Sequence, residues 1–153
     1  MNSFVVDKNF HRWVIILRVS IGIIYLWFGV LKFFPGVSPA EDLAQNTIRL
    51  LSFGQLDPKV SLLMLASWET SMGILLIAGA FGRFTIRLVF VHMICTFTPL
   101  ILLPGDCFTN APFDLTLVGQ YILKNIVIIS ALLLINSVIT TKKRNSVAAL
   151  STH

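Results

Sequence analysis

Four long apolar stretches constrain this sequence more than any other feature. Each is close to the ~20 residues that an α-helix needs to cross the hydrocarbon core of a bilayer. They cover residues 12–34, 60–81, 84–103 and 117–139. Charged residues make up 12% of the chain, against about 25% in soluble domains. We therefore predict an all-α integral membrane protein, with residues 1–153 forming a single domain built as a four-transmembrane-helix bundle.

The segment between the first two stretches predicts a helix of another kind. The sequence SPAE at residues 38–41 matches a capping box with proline at the first helical position, and Gly54 is a suitable stop. We therefore predict a short amphipathic helix over about residues 39–53, at the outer membrane interface. Asp57, followed by proline, should begin the second membrane helix, whereas residues 104–116 are rich in turn formers and should be irregular.

The formal charge of +5 is explained by membrane topology. Cations concentrate in the amino-terminal segment, between the second and third stretches, and in the carboxyl-terminal tail, whereas the other two loops hold most of the acids. By the positive-inside rule, both termini are expected in the cytoplasm. This distribution gives no reason to expect a nucleic-acid partner; the partner that the composition predicts is membrane lipid.

Polar side chains and glycines line one face of the first membrane helix. Arg18, Tyr25 and Lys32 are spaced seven apart. Gly22 and Gly29 fall between them, which gives steps of four, three, four and three. Residues at these steps share nearly one face of an α-helix. We expect this face to point into the bundle, with the glycines letting neighbouring helices approach closely.

Each of the other membrane helices also carries an ionisable residue. At 1.5 Å per residue, Glu69 lies ~13 Å along the second helix, His92 ~12 Å along the third, and Lys124 ~10 Å below the outer end of the fourth. A charge at the centre of a membrane helix costs at least ~2.5 kcal/mol, so Glu69 should be protonated or paired with a cation. By depth its available partners are Arg18 and Lys124. Lys32 is expected at the outer rim, where it can snorkel.

These side chains together predict a polar column with more cations than acids. A surplus cation in a dry bundle favours an anionic or electron-rich guest. The alternative is that one buried ion pair only fixes the register of the helices. Such a pair would explain only two of the five ionisable residues, so we favour a ligand-binding site. Its candidate residues are Arg18, Tyr25, Lys32, Glu69, His92 and Lys124.

The sequence carries no visible redox centre of its own. Its two cysteines, Cys95 and Cys107, fall in the third helix and the following loop, so a disulfide between them is not expected. No C-x-x-C motif, metal-ligand spacing, haem-ligand pair or flavin motif is present. We therefore predict no metal site and no catalytic residue, and at most the membrane subunit of an oxidoreductase that receives electrons from a partner.

Four segments resemble the DoxX-like family of small four-helix membrane proteins. They are RVSIGIIYLWFGVLKFFPG, SWETSMGILLIAG, HMICTFTPLILLP and GQYILKNIVIISALLLI, one in each predicted helix, and the resemblance covers most of residues 12–139. It implies a four-helix bundle, and in some members a link to quinone-coupled oxidation of sulfur compounds or to oxidative stress. The family's motif positions fall on Lys32, Glu69 and Lys124 with Asn125. We expect the bacterial cytoplasmic (inner) membrane as its location.

Three functions fit these features. The one we favour is an accessory or quinone-site subunit of a membrane redox system, because a quinone headgroup needs hydrogen-bond partners and a proton path. In this reading, quinone is the possible cofactor, and Trp27, Phe28 and Trp68 line an apolar slot for it. The alternatives are a small proton-coupled transporter and a purely structural subunit. A homo-oligomer or a larger membrane complex is expected in each case.

Overall fold

The structure, a computed structural model, describes residues 8–150, and the side chains of residues 9–141; the ends of the predicted domain, residues 1–7 and 151–153, lie outside the described residues. In chain order the elements are α1 (Lys8–Leu31), α2 (Glu41–Leu51), α3 (Pro58–Ala78), α4 (Arg83–Cys95), α5 (Pro99–Leu102), α6 (Pro104–Cys107), β1 (Phe108–Asn110), β2 (Asp114–Leu115) and α7 (Leu117–Leu150). Four spans are long and apolar enough to cross a membrane: Asn9–Leu31, Pro58–Ala78, Arg83–Leu102 and Leu117–Thr141. The predicted four-helix membrane fold is confirmed.

Local signals in the sequence fix both ends of α3. Asp57 is its N-cap, and the carboxylate of Asp57 accepts hydrogen bonds from the backbone N–H groups of Lys59 and Val60. Gly79 ends the helix in the left-handed conformation, with φ of 71°, which glycine adopts without steric cost. The turn at residues 79–82 is so short that α3 and α4 are antiparallel neighbours. We call this end of the bundle the turn end and the opposite one the loop end.

The third membrane span is broken, which the sequence prediction of one helix over residues 84–103 missed. The break follows from Pro99, which has no N–H to donate and whose ring clashes with the carbonyl four residues earlier. That carbonyl, of Cys95, accepts instead from the N–H of Thr98 at 3.1 Å and from its hydroxyl at 2.8 Å. The chain therefore leaves α4 at Cys95 and resumes as the short helix α5.

The predicted amphipathic helix is present as α2, but its start is not the predicted capping box. The N-cap is Ala40, and within the described residues the hydroxyl of Ser38 has no hydrogen-bond partner. The carboxylate of Glu41 instead accepts from the backbone N–H of Gly36 at 2.7 Å. The predicted stop is confirmed, because Gly54 has φ of 77° and donates to a carbonyl of the last turn.

The loop over residues 104–116 is more ordered than predicted. It forms the short helix α6 and an antiparallel pair of strands, β1 and β2. Two hydrogen bonds from Thr116 stabilise the loop. The N–H of Thr116 donates to the carbonyl of Cys107, and the hydroxyl of Thr116 donates to the carbonyl of Asp106. Pro112 lies in the turn between β1 and β2, whereas Pro104 and Gly105 form the start of α6. Cys95 and Cys107 are free thiols.

Helices α1 and α3 make the closest packing in the bundle, and glycines permit it. A Cβ added to Gly29 would lie 2.6 Å from the backbone nitrogen of Thr70, and one added to Gly73 would lie 2.5 Å from that of Leu26. Gly22 faces Ile77 and Gly73 in the same way. The prediction that Gly22 and Gly29 allow close approach is confirmed. Because the contacts involve backbone atoms, they fix the register of α1 against α3.

Candidate functional site

A buried ion pair joins α1 to α3. The Nζ of Lys32 lies 2.6 Å from Oε2 of Glu69, and the side chains are 7% and 11% exposed. Lys32 also donates to the backbone carbonyl of Phe28 at 3.4 Å. Gly29, in the last turn of α1, packs against Thr70, the residue after Glu69. This glycine contact therefore brings Lys32 and Glu69 together. Because both charges are withdrawn from lipid and compensated, the bundle tolerates them.

The ion pair lies about halfway along α3, which corrects the expected surroundings of the Lys32 side chain. Glu69 is eleven residues from Pro58 and nine from Ala78. Lys32 directly follows the last residue of the first span, as a rim position requires, but its side chain does not snorkel as predicted, because its ammonium group is buried against Glu69. The prediction placed Lys32 by counting from the end of the first apolar stretch. In the structure, the glycine contacts shift α1 along α3 toward the turn end, which brings Lys32 level with Glu69. Arg18 and Lys124 were the predicted partners of Glu69, and neither pairs with it.

Lys124 lies outside the bundle interior, contrary to the prediction. It is exposed, and its Nζ sits 5.1 Å from the ring centroid of Tyr121, which is also exposed. Ile122 lies on the buried face of α7, and a residue two positions later points about 200° away from it. Asn125, three positions later, returns to that face, and its Nδ2 donates to the hydroxyl of Thr96 at 3.2 Å.

Tyr25 and His92 extend the ion pair into a chain of polar groups. The hydroxyl of Tyr25 lies 3.0 Å from Nδ1 of His92, and their rings meet edge to face with centroids 5.5 Å apart. On the other side, Nε2 of His92 lies 3.7 Å from Oε1 of Glu69. That separation is too long for a hydrogen bond. The order is therefore Tyr25, His92, Glu69 and Lys32, with one open step in the middle; we call these four residues the relay.

The relay favours one tautomer of His92. A neutral imidazole has one N–H donor and one acceptor nitrogen. If Nε2 were the acceptor, its lone pair would face the carboxylate oxygen of Glu69, which is unfavourable. With the proton on Nε2, the ring points an N–H at Glu69, and Nδ1 accepts from the hydroxyl of Tyr25. The neutral Nε2–H form therefore accepts from Tyr25 and turns its N–H toward Glu69.

We expect ¹⁵N NMR of the histidine-labelled protein in detergent micelles to find His92 as the Nε2–H tautomer. The Tyr25→Phe variant keeps the ring but leaves Nδ1 without its donor, which should destabilise the protein by ~1–3 kcal/mol and shift the Nδ1 resonance. His11 is exposed and serves as the internal reference. An Nδ1–H tautomer in the wild-type protein would contradict the hydrogen-bond order given above.

Arg18 belongs to a different place in the bundle. Its guanidinium packs against Gly79 at the turn end, where a Cβ would overlap it. Tyr25 lies two helical turns away, and within residues 9–141 Arg18 makes no ion pair. The predicted single column thus divides into the relay and a separate arginine. The sequence analysis predicts that Trp27 lines an interior apolar slot. In the structure Trp27 is 66% exposed, so it does not line one.

The pairing of Lys32 with Glu69 was missed, although the sequence contained a signal for it. Lys32 follows Gly29 by three residues, and Glu69 precedes Gly73 by four. Each charge thus lies one turn from a glycine on the same helix face. Since contact glycines face each other across a helix pair, charges one turn away from them are placed to meet.

The fold and the relay define a class: a small four-helix integral membrane bundle with a buried ion pair between its first two membrane helices. A model of the family described as DoxX matches residues 13–101. The chain belongs to the DoxX family. The match includes all four relay residues and the three helices that carry them, α1, α3 and α4, and it stops before α7 with Lys124 and Asn125. No curated protein and no solved structure matched the chain.

Proposed function

We propose that this chain is a quinone-site subunit of a membrane redox system, in which the relay moves protons to or from a quinone headgroup. The observation that carries the proposal is the relay itself: a phenol, an imidazole and an ion pair in sequence inside a membrane bundle, with one open step of 3.7 Å between the imidazole and the ion pair. Residues of these types inside a membrane are expensive and are typical of proton pathways. As part of this proposal, the protein lies in the bacterial cytoplasmic membrane with both termini in the cytoplasm.

The residues present fit a quinone headgroup in their donor chemistry. A lysine ammonium has three N–H donors. Two of those on Lys32 are accounted for by Glu69 and the carbonyl of Phe28, and the described residues supply no partner for the third. That donor is suited to a carbonyl oxygen. Phe28 lies one helical turn before Lys32, Trp68 directly precedes Glu69, and both are about two-fifths exposed, so a flat ring could reach them.

When bound, a quinone would supply the redox chemistry, by taking up two electrons and two protons. The chain's own part is to hold and move protons. His92 can pass a proton between its two ring nitrogens, because the neutral ring is both donor and acceptor. A movement of less than 1 Å would close the step from His92 to Glu69. Electrons would come from a partner protein.

The test is thermal unfolding of the purified protein in detergent with a short-chain benzoquinone. At a concentration about 100 times Kd, ligand binding should raise Tm by roughly 5 °C or more. Glu69→Gln keeps the shape of the side chain but removes its charge, and should weaken binding about tenfold or more. Lys124→Gln is the matched control, because Lys124 is exposed and outside the relay.

Related measurements would show whether the protein has one of the other two functions instead. Proton flux in proteoliposomes without any quinone would favour a proton-coupled carrier and displace the proposal. No shift in Tm at saturating quinone, together with an active complex that assembles with both Glu69→Ala and Lys32→Ala, would leave the relay with a structural role only. A shift that Glu69→Gln and Lys124→Gln leave equally intact would place the quinone elsewhere on the protein.

A further inference from the structure

A cavity of about 430 Å³ lies at the turn end, well separated from the relay. It is partly open and lies between α1, the turn at residues 79–82, α4 and α7. Two of its lining side chains are basic and several are aliphatic. They include His11, Arg18, Leu75, Leu76, Ile86 and Ile139. We call it the Arg18 cavity.

Arg18 presents donors to this cavity that the described residues do not satisfy. Its side chain is half-buried, and its Nε is fully buried without a hydrogen-bond partner in the described part of the chain. Gly79 makes the room for this placement, since any side chain there would overlap the guanidinium. The terminal nitrogens of the guanidinium likewise have no hydrogen bond or ion pair among the described residues, so an acceptor that enters the cavity would gain affinity by pairing with them.

The charges around the cavity favour an anion. Among the described residues, Glu69 is engaged with Lys32 in the relay. All other described acids belong to the loop-end segments: Glu41, Asp42, Asp57, Asp106 and Asp114. The described basic residues near the turn end are Arg12, Arg18, Arg83 and Arg87. The cavity therefore has a cation inside it and no described carboxylate near it.

We propose that the Arg18 cavity binds the phosphate headgroup of an anionic phospholipid. Guanidinium groups pair with phosphate oxygens in a fork geometry, and basic pockets between membrane helices hold anionic headgroups. The volume is in the range of ~300–1,000 Å³ typical of ligand sites. Leu75, Leu76 and Ile139 provide apolar walls for the first carbons of an acyl chain, which a free phosphate ion would leave unfilled.

The depth of the cavity agrees with a lipid headgroup. Arg18 contacts Gly79, the residue that directly follows the last residue of α3. The guanidinium is therefore level with the end of α3, although Arg18 itself lies nine residues inside the first span. A phospholipid of the adjoining leaflet can reach it without leaving the bilayer.

Native mass spectrometry of the purified protein tests this proposal, with phosphatidylglycerol and phosphatidylcholine titrated in parallel. The wild-type protein should bind one phosphatidylglycerol about tenfold or more tightly than phosphatidylcholine. Arg18→Gln should abolish that preference. Arg87→Gln is the matched control, because Arg87 is exposed near the same end and does not line the cavity; it should keep the preference.

Two further measurements use a variant that fills the cavity and a competing free anion. Ile139→Trp fills the cavity and leaves Arg18 in place, so it should lose the bound lipid even if Arg18→Gln fails to fold. Equal losses in Arg18→Gln and Arg87→Gln, or full lipid binding by Ile139→Trp, would overturn the proposal. Inorganic phosphate is the third probe: if it displaces phosphatidylglycerol at equal concentration, the site takes the free anion and the lipid assignment is wrong.

Discussion

Replacing Lys32 with methionine should destabilise the bundle by ~3–5 kcal/mol, because it removes one partner of a buried ion pair and leaves the other uncompensated. Methionine is nearly as long as lysine, so little packing volume is lost. The carboxylate of Glu69 would then lie halfway along α3 with no cation within reach. The measurement is the free energy of unfolding in graded mixtures of mild detergent and dodecyl sulfate, followed by helical circular dichroism.

Lys124→Met is the control for this experiment. Lys124 is a membrane-helix lysine too, but it is exposed and its ammonium group lies over the exposed ring of Tyr121, so its loss should change stability by no more than ~1 kcal/mol. The double variant Lys32→Met/Glu69→Leu should be less destabilised than the sum of its single variants, because it leaves no unpaired charge. Equal effects of Lys32→Met and Lys124→Met would contradict the buried pair.

Gly73→Ala is expected to have the second large effect, a loss of at least ~2–3 kcal/mol from overpacking. The new methyl group would lie 2.5 Å from the backbone nitrogen of Leu26 and 2.8 Å from its Cα. Backbone atoms cannot rotate away, so α1 and α3 must separate. That separation should also lengthen the contact between Lys32 and Glu69, and quinone binding should weaken together with stability.

Gly105→Ala is the matched control, since a Cβ at that position meets nothing within 4 Å. Its stability should stay within ~0.5 kcal/mol of the wild-type value. The same unfolding assay serves both glycine variants. A Gly73→Ala protein as stable as Gly105→Ala would mean that α1 and α3 are not in the close contact described here.

The fold was predictable because the hydropathy of a segment and the residues that cap its helices are local properties of the chain. Four apolar stretches predicted the membrane spans, and Asp57 predicted the start of α3. The break before α5 was also within reach, since Pro99 cannot continue a regular helix. The hairpin of β1 and β2 was harder to see, because two short strands have too few residues for a periodic pattern.

The site was only half predictable, because facing and depth depend on the neighbouring helices. The spacing of Tyr25 and Lys32 placed them on one face, and both are buried. On α7, however, lipid and protein interior are equally apolar, so hydropathy could not tell which face Lys124 occupies. Counting residues from each helix end could not give the register of α1 against α3. That register is set by backbone contacts at Gly29 and Gly73, and with it the partner of Glu69.

The position of Glu69 halfway along α3 has an electrical consequence. If the membrane voltage falls evenly along that helix, a proton reaching Glu69 from either aqueous side crosses about half of the electric field. Its binding equilibrium would then shift by about 1.2 kcal/mol for each 100 mV across the membrane. If the relay moves protons as proposed, proton exchange at this carboxylate would therefore be electrogenic, and the membrane voltage would bias how often the site is protonated.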